Sequence, residues 1–251
     1  MKRIDSVKNE RIKQWKKLHT KKGREKAGQF IIEGFHLVEE ALRSDIDVSH
    51  ILLEEGLDWP KDWQSKQEER IEVSEAVLKE LSDTQTPQGV VAICDFLKEE
   101  PLKQMSGRYL LIDRIQDPGN LGTIIRTADA AGITGVILGE GCVDKYNSKV
   151  VRSSQGSLFH IPIMNGKLSE LVSQFQEAGV AVFGTALQKA SSYINFEPLE
   201  SFALIVGNEG DGVDKELLNK TDQNIYVPIY GKAESLNVAI ATAILLYHFR
   251  R

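Results

Sequence analysis

The chain has 251 residues, 41% of them apolar, and a formal net charge of −5 at pH 7. This length allows one large domain or two moderate ones, and the average proline and glycine usage excludes a collagen-like or disordered chain. No apolar run reaches membrane-spanning length and the charged N-terminus lacks a signal-peptide core, so we expect a cytoplasmic protein without a membrane partner.

The two cysteines, Cys94 and Cys142, lie far apart and form no CxxC pair. This usage fits a reducing compartment and offers no zinc site. We therefore expect no metal.

Charge is unevenly distributed along the chain. Residues 1–28 carry eleven Lys/Arg against three Asp/Glu, a net charge of +8 that leaves −13 for the remainder. A basic arm on an acidic body is typical of nucleic-acid binding, but a solvated charged helix explains the arm equally well. Trp15, which stands among lysines, either stacks on a base or anchors a short amphipathic helix.

The first part of the chain has the pattern of a small α/β unit. Phe30–Ile32 predicts a strand that leads into a helix with apolar residues at helical spacing. "SHILLEEG" and "GVVAICDF" predict two more strands, and between them Ser74 is placed to cap a helix. The charged, proline-containing residues 97–108 then predict a linker, which divides the chain into domains at 1–96 and 109–251.

From Tyr109 onward, strands and helices alternate. Helices are predicted at 121–131, about 146–155, about 167–178, about 214–219 and 238–249. The predicted strands are "YLLIDRI", "GVILG", "FHIPIM", "VAVFGTAL", "FALIVG" and "NIYVPIY". Near-continuous apolar strands between helices indicate an α/β fold with a mainly parallel sheet. Ligands bind such sheets at the carboxyl ends of the strands, so the following loops are candidate sites.

The first of these loops is "IQDPGNLGTIIRTADAAG", residues 115–132. Asp117-Pro118-Gly119 is ordinary turn chemistry, and Asn120 is placed to cap a helix. Arg126 lies in the middle of that mostly small and apolar helix. Asn120 and Arg126 are about 240° apart around a helix, so they face different parts of one ligand or two ligands.

Two further loops carry polar residues. "LIVGNEGDGV" places Gly207, Asn208 and Glu209 after an apolar strand, and it matches neither GxGxxG nor GxxxxGK[ST]. Ser235 and Asn237 directly precede an apolar helix, which we expect to be buried. Each loop by itself is explained by a tight turn or a helix cap.

Together and in this order, the three loops resemble the signature motifs of the SpoU (TrmH-like) branch of the SPOUT superfamily. Its members are S-adenosylmethionine-dependent RNA ribose 2′-O-methyltransferases. Asn120 and Arg126 match the first motif, Gly207-Asn208-Glu209 the second, and Ser235-Leu236-Asn237 the third. "FIIEGFHLVEEAL" and "LSDTQTPQGVVAI" are similar to the auxiliary substrate-binding domain of this family.

The resemblance implies a deep trefoil knot in the C-terminal sheet and a homodimer whose site lies near the interface. It implies that Arg126 is the catalytic arginine, with Asn120, Glu209, Ser235 and Asn237 around it. Glu209 either orients Arg126 or binds the nucleotide. It also implies a cofactor pocket formed by Thr185, Leu187, Gly207, Val227, Ile229 and Leu236.

The substrate is less sharply indicated. The two-domain layout is similar to that of family members that act on ribosomal RNA, so we expect 23S ribosomal RNA before transfer RNA. Lys149 and Arg152 are candidates to bind RNA phosphate, although a solvated helix face explains them equally well. A non-catalytic RNA-binding protein and a nucleotide-binding dehydrogenase are the competing interpretations, and the second lacks its glycine fingerprint.

Overall fold

The computed structural model describes residues 2–61, 63, 68–99, 102 and 105–250. The described chain divides into two compact units, Met1–Lys98 with Asp144–Phe159 and Glu99–Val143 with His160–Arg251. The predicted linker at 97–108 lies partly outside the described residues, and the domain boundaries at 96 and 109 stay predictions.

The elements follow one another in this order. The N-terminal half contains β1 (Lys2–Ile4), α1 (Glu10–Lys16), α2 (Lys21–Ala27), β2 (Gln29–Glu33), α3 (Phe35–Arg43), β3 (Val48–Glu54), β4 (Glu69–Val73), α4 (Glu75–Leu81), β5 (Val90–Asp95), β6 (Arg108–Asp113) and α5 (Pro118–Ala130). The C-terminal half contains β7 (Gly135–Leu138), α6 (Ser148–Ser154), β8 (Ile163–Asn165), α7 (Leu168–Glu177), β9 (Ala181–Thr185), β10 (Ser191–Ser192), β11 (Phe202–Gly207), α8 (Lys215–Leu218), β12 (Gln223–Tyr226) and α9 (Val238–Phe249).

The first unit contains a five-stranded mixed sheet in the order β1-β4-β3-β5-β2. Helices α1 and α4 pack their apolar residues against one face of it, with Ile12, Leu78 and Ile93 in the shared core. Ser74 caps α4 by accepting a hydrogen bond from the amide of Val77, as the sequence predicts. Trp15 is only 6% exposed. It therefore anchors α1 in the core, and the alternative that it stacks on a base is wrong.

The second unit contains seven strands, all parallel, in the order β10-β12-β9-β11-β6-β7-β8. The expected parallel α/β sheet is therefore confirmed. Strand β11 lies between β6 and β9, with Gly207 in register with Asp113. The carboxyl ends of the central strands consequently share one edge of the sheet. The trefoil knot stays a prediction.

Helix α9 is more exposed than the sequence predicts. Leu245, Leu246 and Phe249 are buried, but Ile240 and Tyr247 are 53% and 52% exposed. The helix is apolar on both sides, and this chain covers only one of them. The expectation of a fully buried helix is therefore wrong for the single chain.

Candidate active site

The first loop begins at the end of β6 and enters α5. The helix starts at Pro118, three residues before the predicted position, because Asp117 rather than Asn120 is its N-cap. The Asp117 Oδ1 atom accepts the amide hydrogen of Asn120 at 2.8 Å. The expectation that Asn120 caps the helix is therefore wrong, and its side chain is available for contacts beyond α5.

The Asn120 side chain joins the three loops. Its Nδ2 atom donates to Glu209 Oε1 at 3.0 Å, and its Oδ1 atom accepts from Asn237 Nδ2 at 2.9 Å. Asn237 also caps α9, since its Oδ1 atom accepts the amide of Ala239 at 2.9 Å. The three loops that the sequence singles out thus meet in one hydrogen-bonded chain of side chains.

Both carboxylate oxygens of Glu209 accept hydrogen bonds from backbone amides. Oε1 accepts the backbone amide of Asp117 at 3.2 Å, and Oε2 accepts that of Gln116 at 3.4 Å. Burial by itself raises the pKa of Glu209, but the hydrogen bonds from Asn120 and these amides outweigh it and lower the pKa below its ordinary value. Glu209 is therefore a carboxylate at neutral pH. Within the described part of this chain, Glu209 forms no hydrogen bond or ion pair with Arg126.

The loop that carries Glu209 is tightly closed. The backbones of Asn208 and Gly212 exchange hydrogen bonds at 3.1 and 3.0 Å. Gly207 lies directly below this closure, where a Cβ atom would stand 2.2 Å from the amide nitrogen of Val213. Only glycine fits at position 207 without displacing the loop.

A cleft of about 910 Å³ opens beside these loops. This volume is in the range of small-molecule sites. The sequence-predicted residues that line it are Thr185, Leu187, Gly207, Glu209, Val227, Ile229, Ser235, Leu236 and Asn237. The cleft thus brings together all six residues expected at the cofactor and three of the five expected at the catalytic centre.

Sequence reasoning missed several residues of the cleft. Lys189, Asn224 and Lys215 line it, together with apolar side chains of α9. These positions carry no sequence signal beyond following a strand or lying on an ordinary helix.

Arg126 is not part of the cleft of its own chain. It is exposed on α5, and no side chain in the described part of the protein pairs with it. Its guanidinium is therefore accessible to a ligand or to another chain.

The two residues predicted to bind RNA phosphate, Lys149 and Arg152, lie on α6 in the first unit. Lys149 is exposed. The Arg152 Nη1 atom lies 3.6 Å from Asp83 Oδ2, in a half-exposed ion pair.

The basic N-terminal arm is largely neutralised by the fold. Arg11 binds Glu69 through its Nη1 and Nη2 atoms, and together with Lys2 it lowers the pKa of Glu69 to about 2. The arm residues in ion pairs are Lys2, Arg3, Arg11, Lys13, Lys16, Lys21 and Arg24. Four exposed lysines of the arm form no such pair in the described chain: Lys8, Lys17, Lys22 and Lys26.

None of the helices in the described ranges has the length and apolar character required to traverse a bilayer.

Comparison with known proteins gives one consistent result. Residues 107–247 match the model of the SpoU rRNA Methylase family, and residues 9–92 match an MRM3-like substrate binding domain. The chain is 52% identical over 250 residues to the 23S rRNA (guanosine(2553)-2′-O)-methyltransferase RlmP of Bacillus subtilis strain 168, with 100% of both chains covered.

Solved structures agree with that result. An AdoMet-bound rRNA methyltransferase from Sinorhizobium meliloti superposes with a TM-score of 0.89 at 33% identity, covering 99% of this chain and 97% of that one. The SpoU methyltransferase AviRb from Streptomyces viridochromogenes, in complex with AdoMet, has a TM-score of 0.86 at 29% identity, covering 97% of each chain.

Replacing Gly207 with alanine tests whether the closed loop shapes the cleft. Because the added methyl group collides with the backbone at Val213, we expect the affinity for S-adenosylmethionine to fall at least tenfold (~1.4 kcal/mol). Isothermal titration calorimetry measures the change. Gly231→Ala is the matched control, since nothing lies within 4 Å of a Cβ atom there. Equal affinity in the two variants would contradict this view of the loop.

Proposed function

The chain belongs to the SpoU rRNA Methylase family, and from that premise we propose that it methylates 23S ribosomal RNA at the guanosine that corresponds to position 2553 in its Bacillus relative. It is an S-adenosylmethionine-dependent enzyme that transfers a methyl group to a ribose 2′-hydroxyl of RNA. The observation that supports this function best within the chain is the meeting of all three motif loops at Asn120, beside a cleft of suitable size.

The cleft suits the cofactor chemically. Four of its lining residues are charged, namely Lys189, Glu209, Asp211 and Lys215, and the others offer backbone groups and neutral side chains. Neutral, backbone-rich surroundings favour an adenine ring, which is recognised by hydrogen bonds and apolar contact. We propose that Thr185, Leu187, Gly207, Val227, Ile229 and Leu236 hold the adenosine part.

S-adenosylmethionine, when bound, supplies a methyl group on a positively charged sulfur, which needs no metal ion to make it electrophilic. The protein must then position the ribose hydroxyl and manage its proton. Arginine is a poor base, because its guanidinium stays protonated. We propose that Arg126 grips the target phosphate by its planar fork and stabilises the charge that develops on the 2′-oxygen. An oxygen of the substrate phosphate accepts the proton.

The remaining motif residues position these groups. Asn120 is fixed by Glu209 on one side and Asn237 on the other, so it presents a rigid polar surface at the edge of the cleft. Ser235 lines the same cleft and is exposed. We propose that Asn120, Ser235 and Asn237 orient ribose and cofactor, and that Glu209 acts by holding Asn120.

A homodimer completes the site in this proposal. Ile240 and Tyr247 form an exposed apolar face two turns long on α9. The Tyr247 hydroxyl reaches the carbonyl of Ala130, one turn after Arg126 on α5, so Arg126 borders the same surface. Leu187 and Leu236 are exposed at the cleft itself. Dimerisation through this face would cover it and bring the partner subunit's Arg126 toward the cleft.

The first unit supplies the RNA contacts outside the reaction centre. We propose that Lys149 and Arg152 bind backbone phosphates and that the protein acts in the cytoplasm, where ribosomal RNA is modified. Because phosphate contacts release counterions, RNA affinity should fall steeply with salt.

Mapping of 2′-O-methylation across total RNA, with and without the gene, tests the substrate directly. We expect one guanosine of 23S ribosomal RNA to lose its methyl group when the gene is absent. Loss of a methylated site in transfer RNA instead would show that transfer RNA is the substrate. An unchanged methylation map, together with no heat on titration of the cofactor, would favour a non-catalytic RNA-binding protein.

Replacing Arg126 with lysine keeps the charge but removes the planar fork. We expect kcat to fall about 100-fold, in the range seen when one stabilising donor is removed, with little change in RNA affinity. Arg108→Lys is the matched control, because within the described residues the guanidinium of Arg108 donates to the carbonyl of Leu199 and not to a residue of the cleft. Near-normal turnover of the Arg126 variant with unchanged RNA affinity would refute the role assigned to it.

Replacing Ile240 with glutamate places a charge in the proposed dimer interface. We expect a dimer of the unmodified chain to become a monomer, because a buried unpaired carboxylate is costly. Light scattering after size exclusion measures the mass, and Val7→Glu in the first unit is the exposed apolar control. A stable monomer of the unmodified chain would overturn the proposed assembly.

A further inference from the structure

An ion pair between a buried carboxylate, Asp113, and a partly exposed guanidinium, Arg114, adjoins the loop Asn208–Asp214. Asp113 ends β6, is 5% exposed and stands in register with Gly207. Its Oδ1 atom accepts from Arg114 Nε at 3.0 Å, and its Oδ2 atom accepts from Arg114 Nη2 at 3.0 Å. The same Oδ2 atom accepts the backbone amide of Asp214 at 2.8 Å. One carboxylate thus binds an arginine fork and the far end of the loop Asn208–Asp214.

Arg114 grips the near end of that loop through its backbone. Its φ of +56° is the left-handed conformation, which is unusual for a residue other than glycine. In this conformation the Arg114 carbonyl accepts from Asn208 Nδ2 at 2.9 Å. The Asn208 Oδ1 atom in turn accepts the amides of Gly210 and Asp211 at 2.9 and 3.2 Å. Asp113 and Arg114 therefore fix the two ends of the loop Asn208–Asp214.

The Asp113–Arg114 ion pair lies outside the cleft. Neither Asp113 nor Arg114 lines the cleft, whereas every residue from Asn208 to Val213 does. Strained backbone held by surrounding contacts is common at functional sites, where it preorganises binding groups. A carboxylate that accepts from both an arginine fork and an amide provides a strong and directional anchor.

We propose that Asp113 and Arg114 are positioning residues that set the affinity for S-adenosylmethionine by locking the loop Asn208–Asp214 in its binding conformation. This inference rests on the proposed cofactor site and adds two residues to those named above from the three motif loops. If the pair is broken, the cofactor must order the loop as it binds, so affinity falls while chemistry in the saturated enzyme proceeds.

The test uses Asp113→Asn, Arg114→Gly and Arg114→Lys in the full-length protein. Arg114→Gly tolerates the left-handed backbone but has no fork, and Arg114→Lys keeps only the charge. We expect the dissociation constant for S-adenosylmethionine, measured by calorimetry, to rise at least tenfold in Asp113→Asn and Arg114→Gly. We expect a smaller rise in Arg114→Lys.

Two further readouts separate positioning from general destabilisation. At saturating cofactor, kcat should stay within about threefold of the unmodified enzyme and KM for RNA should not change, because neither step needs the loop to be ordered in advance. Without cofactor, hydrogen exchange should accelerate at the amides of Gly210, Asp211 and Asp214.

Asp144→Asn is the matched control. Asp144 forms a buried ion pair with Arg24 in the first unit, at 2.6 Å. We expect this variant to lower the melting temperature without changing cofactor affinity.

Unchanged cofactor affinity in Asp113→Asn and Arg114→Gly, with normal loop exchange, would overturn the inference. A parallel loss of kcat at constant KM for cofactor would also overturn it. If the unmodified protein binds no cofactor, the proposed function itself fails.

Discussion

The site depends on the side-chain amide of Asn120, which is shared between Glu209 and Asn237. Glu209 and Asn237 belong to two different loops, which lie 89 and 117 positions from Asn120 along the chain. An amide donates and accepts at once, so a single asparagine binds a carboxylate on one side and a helix cap on the other. The polar edge of the cleft is therefore one connected network, and changing any member affects the other two loops.

The parallel sheet makes this meeting possible. Because β6 and β11 run in the same direction and pair directly, the loops that follow them emerge at the same edge. Burial of their apolar side chains fixes the register in which the strands pair, while the loops carry the polar residues. Glycine at position 207 and the ion pair of Asp113 then hold one loop close to its neighbour. The strands thus provide the stable scaffold, and the loops that follow them carry the functional residues.

Sequence reasoning predicted the continuously apolar elements well. Strand β11 and helix α9 occur at the predicted residues, because an uninterrupted apolar run has few alternative placements. The short strands β1, β4 and β10 were missed, since their pairing depends on distant partners rather than on local pattern. The cleft residues followed from the family resemblance, whereas the hydrogen bonds of Asn120 depend on side-chain geometry that no single sequence displays. The basic arm shows the same limit, because several of its partners come from strands and helices elsewhere in the unit.

A double-mutant cycle between Asn120 and Glu209 tests the central claim most directly. Calorimetry measures the cofactor affinity of Asn120→Ala, Glu209→Ala and the double variant. If Asn120 couples the loops, the double variant loses little more affinity than the weaker-binding single variant, with a coupling energy of about 1–3 kcal/mol. Losses that simply add would show that the two side chains act independently and would contradict the account.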